Sequence, residues 1–204
     1  MEKNNYSKEG VPSIEENLLN RQVYVKLTKG LSAKTKSIFD RRFGVGSGNP
    51  ETLESIGKSM GITRERVRQI EEVGFNHIKK NHKDLLDKVF VQFNSYFQDR
   101  GGFKKEEIAL QDLGKGKNKP YVLFLLALGN QFSKVCGKKD YHYFWSILPD
   151  AENKVKGTLS ALIVDIKNHG KTLTKEELLS SFGPKYDLND QSIASYIEVS
   201  KKIQ

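Results

Sequence analysis

The sequence offers little for covalent or metal chemistry to work with. Its 204 residues include one cysteine, Cys136, and four scattered histidines. A single thiol excludes a disulfide framework and a cysteine-rich zinc site. His77 and His82 stand five apart with no cysteine or carboxylate company, so no metal and no cofactor is expected. Long apolar runs are also missing. The longest, residues 122–128, is core-sized and falls far short of the roughly 20 residues of a membrane span. The opening MEKNNYSKEG lacks the apolar centre of a signal peptide. A soluble cytoplasmic protein with no membrane partner is expected. No Ser/His/Asp or Cys/His arrangement can be assembled. GKGKNK, residues 114–119, lacks the phosphate-loop pattern. An enzyme with a small-molecule substrate is therefore not expected, and no catalytic residue is assigned.

What the chain does have is positive charge. Lys and Arg number 34 against 25 Asp and Glu, a net charge of +9. Such a surplus points to a polyanionic partner, nucleic acid before membrane. The excess is uneven. Residues 31–83 hold eleven basic and six acidic residues, the densest surplus in the chain, so a phosphate-binding face is expected there. Hydrophobic residues make up 37%, with eleven Phe and eight Tyr, which is enough for compact cores rather than wholesale disorder.

Patterning suggests a mainly α protein, a helix-turn-helix domain followed by winged-helix-like units with a small β-hairpin wing. Residues 1–12 read as a flexible polar tail and residues 13–83 as the helix-turn-helix domain. Within it, helical patterning begins at Ser13 with Glu16 three residues on, a capping pair. Further helices are expected over 32–43, stopped by Gly44, over 52–59 and over 63–80. Residues 84–148 and 149–204 read as two similar units. YFQDRGGFKKEEIALQDLG (96–114) aligns loosely with DIKNHGKTLTKEELLSSFG (165–183), each followed by a third helix, over 120–132 and 191–203. Residues 134–137 and 141–147 suit a two-stranded wing, which the second unit is expected to lack because the chain stops inside its third helix. Tyr141, Tyr143, Phe144 and Trp145 are expected to pack on that unit rather than stack on bases. Cys136 is expected as a small half-buried side chain.

The informative stretch is TLESIGKSMGITRERVRQIE, Thr52 to Glu71. Gly61 is where one helix must end and the chain turn sharply. Gly57, four residues earlier, has no side chain, so a second helix can cross closely there. Ile56, Met60, Ile62, Val67 and Ile70 fall in the seam between two crossed helices. Thr63 is placed to cap the second helix, and Arg64, Glu65, Arg68 and Gln69 take its outer face. Arg can fork onto guanine, Gln can pair with adenine and Glu can accept from cytosine. These types lie at the helix start, the end such helices insert into the major groove. The competing reading is a solvated face of internal Glu–Arg pairs.

This stretch resembles region four of the housekeeping-type bacterial sigma factors, which recognises the −35 promoter element. The resemblance runs over about residues 14–80 and includes Arg42-Phe43-Gly44. It implies a sequence-specific DNA-binding protein of transcription initiation, at home in the cytoplasm and nucleoid-associated. It also implies base contacts by Arg64, Glu65, Arg68 and Gln69, and backbone contacts by Arg42, Thr52, Leu53 and Glu54. Partners would be double-stranded DNA and the flap of the RNA polymerase core. An adaptor or competitor that binds polymerase without reading DNA is the alternative. In the family a region that reads the −10 element lies upstream, and the stretch before residue 31 is too short to hold it, so a complete sigma factor is not expected. Gly74 replaces a helix former, at about 1 kcal/mol of propensity. LTKEELL (173–179) and SIASYIEVSKKI (192–203) more faintly resemble the HARE-HTH winged helix, which implies recruitment to DNA or to the transcription machinery.

Overall fold

The computed structural model describes residues 21–115 and 118–203. The expected tail, the Ser13–Glu16 capping pair and part of the 114–119 loop lie outside them. The described residues are mainly helical and fall into two compact units. The first takes residues up to 92 together with 118–124, and the second takes 93–115 and 125–203. Two of the boundaries, after 92 and after 124, fall inside helices. Among the described residues, no helix is long and apolar enough to cross a membrane, and no cluster of His, Cys, Asp and Glu could hold a metal ion.

The first unit begins with α1 (Arg21–Leu27), α2 (Ala33–Phe43), α3 (Leu53–Met60) and α4 (Arg64–Asn81). Hydroxyl caps set three of the starts. Ser32, Thr52 and Thr63 each accept a hydrogen bond at 3.1 Å from the backbone N–H three residues on, satisfying a donor that the first helical turn leaves open. Gly44 and Gly61 end α2 and α3 with φ of 72° and 65°, where a side chain would be strained. α5 (Lys83–Gln98) follows α4 after His82 alone.

An aromatic cluster closes this unit. Phe39 stacks on Phe75 with ring centroids 5.0 Å apart. Phe124, from α7 (Lys119–Leu128), meets Tyr24, Phe39, Phe43 and Phe75 at 5.0, 5.5, 5.4 and 6.0 Å. The Tyr24 hydroxyl donates to Asp40 at 2.8 Å, so α1 is tied to α2 by both packing and a hydrogen bond. Gly74 is structural as well. A Cβ there would lie 2.7 Å from the Thr35 methyl and 2.8 Å from Phe39 Cζ. The missing side chain that lowers its helix propensity is therefore what lets α4 approach α2 closely.

The second unit has a winged-helix order. The last part of α5 leads to β1 (Phe103–Lys105), α6 (Glu106–Gly114), the end of α7, β2 (Ser133–Val135) and β3 (Phe144–Ser146). The strands form an antiparallel sheet in the order β1-β3-β2, with Phe103 and Ser133 both opposite Ser146. The wing hairpin falls where the patterning put it, with β1 as a third strand beside it. Tyr141, Phe144 and Trp145 are buried and Tyr143 is exposed. Trp145 Nε1 donates to Glu106 at 2.8 Å.

α8 (Ala151–His169), α9 (Lys175–Phe182) and α10 (Asp190–Val199) complete this unit. Thr174 and Glu177 form a capping box at the start of α9. One apolar cluster joins Phe103, Tyr141 and Phe144 to Val155, Leu159, Leu162, Ile193 and Tyr196, so the two glycine–helix copies share a core. Buried Lys104 is paired with Glu198 at 2.6 Å.

Three sequence expectations change here. α10 stops at Val199 and does not run to residue 203. Ser200 is extended and bridges Tyr141, with the His142 N–H donating to the Val199 carbonyl at 2.8 Å and the Lys201 N–H to the Asp140 carbonyl at 2.9 Å. α7 ends at Leu128 and not at 132. Gly129 follows, and a Cβ there would lie 2.5 Å from the Phe132 ring, which folds back on this turn. Cys136 is exposed, since it sits beyond β2 where no core side chain covers it.

Candidate nucleic-acid interface

α3 and α4 form a helix-turn-helix. Ile56 and Val67 are fully buried with Ile38 of α2, and Leu53, Met60, Ile62 and Ile70 pack around them. This is the seam expected from the sequence, extended by Ile38 and Leu53. The turn is drawn tight by the Ile62 N–H, which donates to the Gly57 carbonyl at 3.0 Å. A Cβ on Gly57 would stand 2.7 Å from the Ile62 carbonyl oxygen and 3.3 Å from the Arg64 nitrogen. The missing side chain thus lets the backbone entering α4 cross α3.

The turn orients α4 so that Arg64, Glu65, Arg68 and Gln69 are all exposed. The face is internally paired. Arg68 Nε lies 3.1 and 3.0 Å from the two Glu65 oxygens, and Nη1 donates to Glu72 at 3.1 Å. Arg66 Nη1 donates to Gln69 Oε1 at 3.2 Å. The Arg68 hydrogen bonds hold the Glu65 carboxyl below the usual carboxylate range. Glu65 therefore stays ionised, and its oxygens can accept a hydrogen bond from a donor such as a cytosine amino group. Neither Glu72 nor Arg66 is given a contact role by the sequence alone; their spacing, four residues from Arg68 and three from Gln69 respectively, is the available signal.

The backbone-contact candidates lie on α2 and the start of α3. Thr52 caps α3, and Leu53 and Glu54 occupy its first turn, where backbone N–H groups have no helical carbonyl to meet. Thr52 and Glu54 are exposed, while the Leu53 side chain turns into the seam, so only its amide could meet a phosphate. Arg42 is half-buried. Its Nη1 donates to the Glu51 carbonyl at 3.0 Å, and its Nε lies 3.6 Å from Glu71, an ion-pair separation rather than a hydrogen bond. Burial pushes the Glu71 carboxyl up, against the pull of Arg42 and Arg68.

A neighbouring clamp holds α3 in place. Arg41 forks onto Glu51 at 2.7 and 2.6 Å and reaches Ser59 Oγ at 2.5 Å, while Ser55 donates to Glu51 at 3.0 Å. Arg41 and Glu51 are ten residues apart, across the glycine-rich loop, a spacing that carries no local pattern. The described part of the first unit holds sixteen basic and eight acidic residues, against fifteen and thirteen in the second. The helix-turn-helix thus sits in the unit that carries the charge surplus.

Residues 29–80 match the family model of sigma-70, region 4. The match covers α2, α3 and nearly all of α4. Among known proteins, the chain is similar to the RNA polymerase sigma factor sigB of Arabidopsis thaliana, 39% identical over 64 residues, which is 31% of this chain and 11% of that one. It is also similar to the RNA polymerase principal sigma factor HrdD of Streptomyces coelicolor, 39% identical over 67 residues, 33% of this chain and 20% of the relative. The RNA polymerase sigma factor SigA of Clostridium acetobutylicum is 33% identical over 72 residues, 33% of this chain and 19% of the relative. The chain therefore spans a fifth or less of these relatives' length. No solved structure matches it. The region-four-like module is the helix-turn-helix described above, and Arg64 to Gln69 lie inside it.

Proposed function

We propose that the chain is a non-enzymatic DNA-binding protein of transcription initiation or its regulation, whose region-four-like module reads a short promoter-like duplex element through α4. The observation that carries this is the exposed start of α4, where Arg64 and Glu65 stand at the end that enters a major groove, within a stretch that matches sigma-70, region 4. In this reading Arg64, Glu65, Arg68 and Gln69 meet base edges. Thr52, Glu54, the Leu53 amide and Arg42 steer phosphates. The polymerase core, at its flap, is the protein partner, and the HARE-HTH-like second unit adds contacts to DNA or to polymerase. A cytoplasmic, nucleoid-associated location follows from the same reading. The adaptor reading, polymerase binding without base readout, draws on one observation, the engagement of Arg68 by carboxylates of its own helix.

Selection of bound duplexes from a randomised pool tests the proposal. A consensus is expected, and Arg64→Ala or Glu65→Ala should each change it, with about 1–3 kcal/mol lost per bidentate pair. An unchanged consensus and affinity in the double variant would remove base readout. Pull-down of core polymerase in the presence of nuclease separates the adaptor reading.

Affinity should also fall steeply with salt, and Arg42→Ala should shallow the log–log slope by about 0.9 while sparing the consensus. Thermal unfolding of that variant serves as its control, because Arg42 also holds the Glu51 carbonyl. A slope unchanged by Arg42→Ala would take Arg42 off the phosphates.

A further inference from the structure

The DNA-reading proposal gives Arg68 to the duplex, yet within the protein each of its guanidinium nitrogens already faces a carboxylate. Nε lies at 3.1 and 3.0 Å from the two oxygens of Glu65, Nη2 donates to Glu65 Oε1 at 2.8 Å, and Nη1 donates to Glu72 Oε2 at 3.1 Å. Glu65 and Glu72 lie three residues before and four residues after Arg68, so the three side chains form one strip along α4. All three are more than half exposed, so the strip meets solvent and not a core.

Two properties of the strip matter for a polyanionic ligand. An arginine on the outer face of a recognition helix can grip a phosphate as readily as a base edge, and phosphate contacts carry no sequence information. A guanidinium that must leave a carboxylate to reach a phosphate gains less from the exchange. The two carboxylates are not equivalent, however. Glu65 stands at the start of α4 and is the one placed to accept from a base. When it turns to a base edge, Glu72 is the carboxylate left to hold Arg68.

We propose that Glu72 is a specificity-determining residue, which restrains Arg68 from sequence-independent phosphate contact and so raises the share of binding that depends on bases. The inference rests on the DNA-reading proposal and adds a residue to it. Glu72 acts through Arg68 and is a positioning residue, with no contact to DNA of its own.

A double-mutant cycle tests it, using full-length wild type, E72Q, R68A and E72Q/R68A. The probes are the duplex enriched by wild type from a randomised pool and the unselected pool itself, each over a salt series. Circular dichroism confirms that helix content is retained. E72Q should bind the unselected pool several-fold more tightly, with a log–log salt slope steeper by about 0.9, one added phosphate contact. Its preference for the enriched duplex should fall. In the R68A background the same substitution should change neither quantity. An E72Q effect of equal size with and without Arg68 would reduce Glu72 to general charge repulsion and overturn the inference. So would an unchanged preference in E72Q. Wild type that enriches no consensus would instead overturn the DNA-reading proposal, and the inference with it.

Discussion

Phe124→Ala is expected to destabilise the helix-turn-helix unit by about 3–5 kcal/mol, the usual cost of emptying a large buried aromatic site. The residue lies more than forty positions beyond the matched stretch, yet its ring is fully buried among Tyr24, Phe39, Phe43 and Phe75. Phe39 and Phe43 belong to α2, Phe75 to α4, and Tyr24 to α1. Removing the ring takes away the contact common to all three helices. A loss of that size is a large part of the 5–15 kcal/mol that holds an ordinary domain together. Denaturant unfolding followed by tyrosine absorbance and circular dichroism reads it directly. Duplex affinity should fall in proportion to the folded fraction, with the consensus unchanged in what remains. A midpoint equal to that of wild type would mean that residues 21–92 form a sufficient core without Phe124.

That result also bears on how the sequence encodes this fold. The helix-turn-helix is legible because its determinants are local. Gly57 and Gly61 lie four apart, Thr63 is three residues before the N–H it caps, and the seam residues repeat at helical spacing. Each of these is set by the geometry of one or two turns. The destination of Phe124 is not local. The run from 122 to 128 is apolar on every side, so periodicity identifies it as buried without saying in which core.

Gly74 shows the same limit from the other direction. As a helix residue it reads as a weakness, and only the position of Phe39 and Thr35 turns it into a point of close approach. β1 is three residues long, too short for alternation to register, and it exists because β3 is beside it. The charged face of α4 lies between these cases. The residue types at 64, 65, 68 and 69 were readable, and so was the competing pattern of internal pairs. The structure contains those pairs, at Glu65, Arg68 and Glu72.

Gly57→Val should be more damaging than its single added side chain suggests. A Cβ at this position meets the Ile62 carbonyl oxygen at 2.7 Å, with the Thr63 carbonyl carbon and the Arg64 nitrogen at 3.3 Å. All three are backbone atoms, and the Ile62 residue is itself fixed by the N–H that donates to the Gly57 carbonyl. No rotamer change can clear the space, so α3 and the start of α4 must separate. Overpacking alone costs about 1–3 kcal/mol, and here it is joined by loss of the turn that aims Arg64 and Glu65. Gly74→Ala makes the informative comparison. Its Cβ meets side-chain atoms, the Thr35 methyl and the tip of Phe39, which can yield in part, and alanine recovers about 1 kcal/mol of helix propensity. The expected order of destabilisation is therefore Gly57→Val, then Gly57→Ala, then Gly74→Ala, measured as shifts in denaturant midpoint. Duplex affinity should separate the variants further. At Gly57 the turn itself is displaced, so binding should fall even under conditions where the variant is still folded. At Gly74 the α3–α4 turn is untouched, so folded protein should bind as wild type does. A Gly57→Val protein with a wild-type midpoint and undiminished affinity would mean that the crossing of α3 and α4 does not depend on the absence of a side chain there.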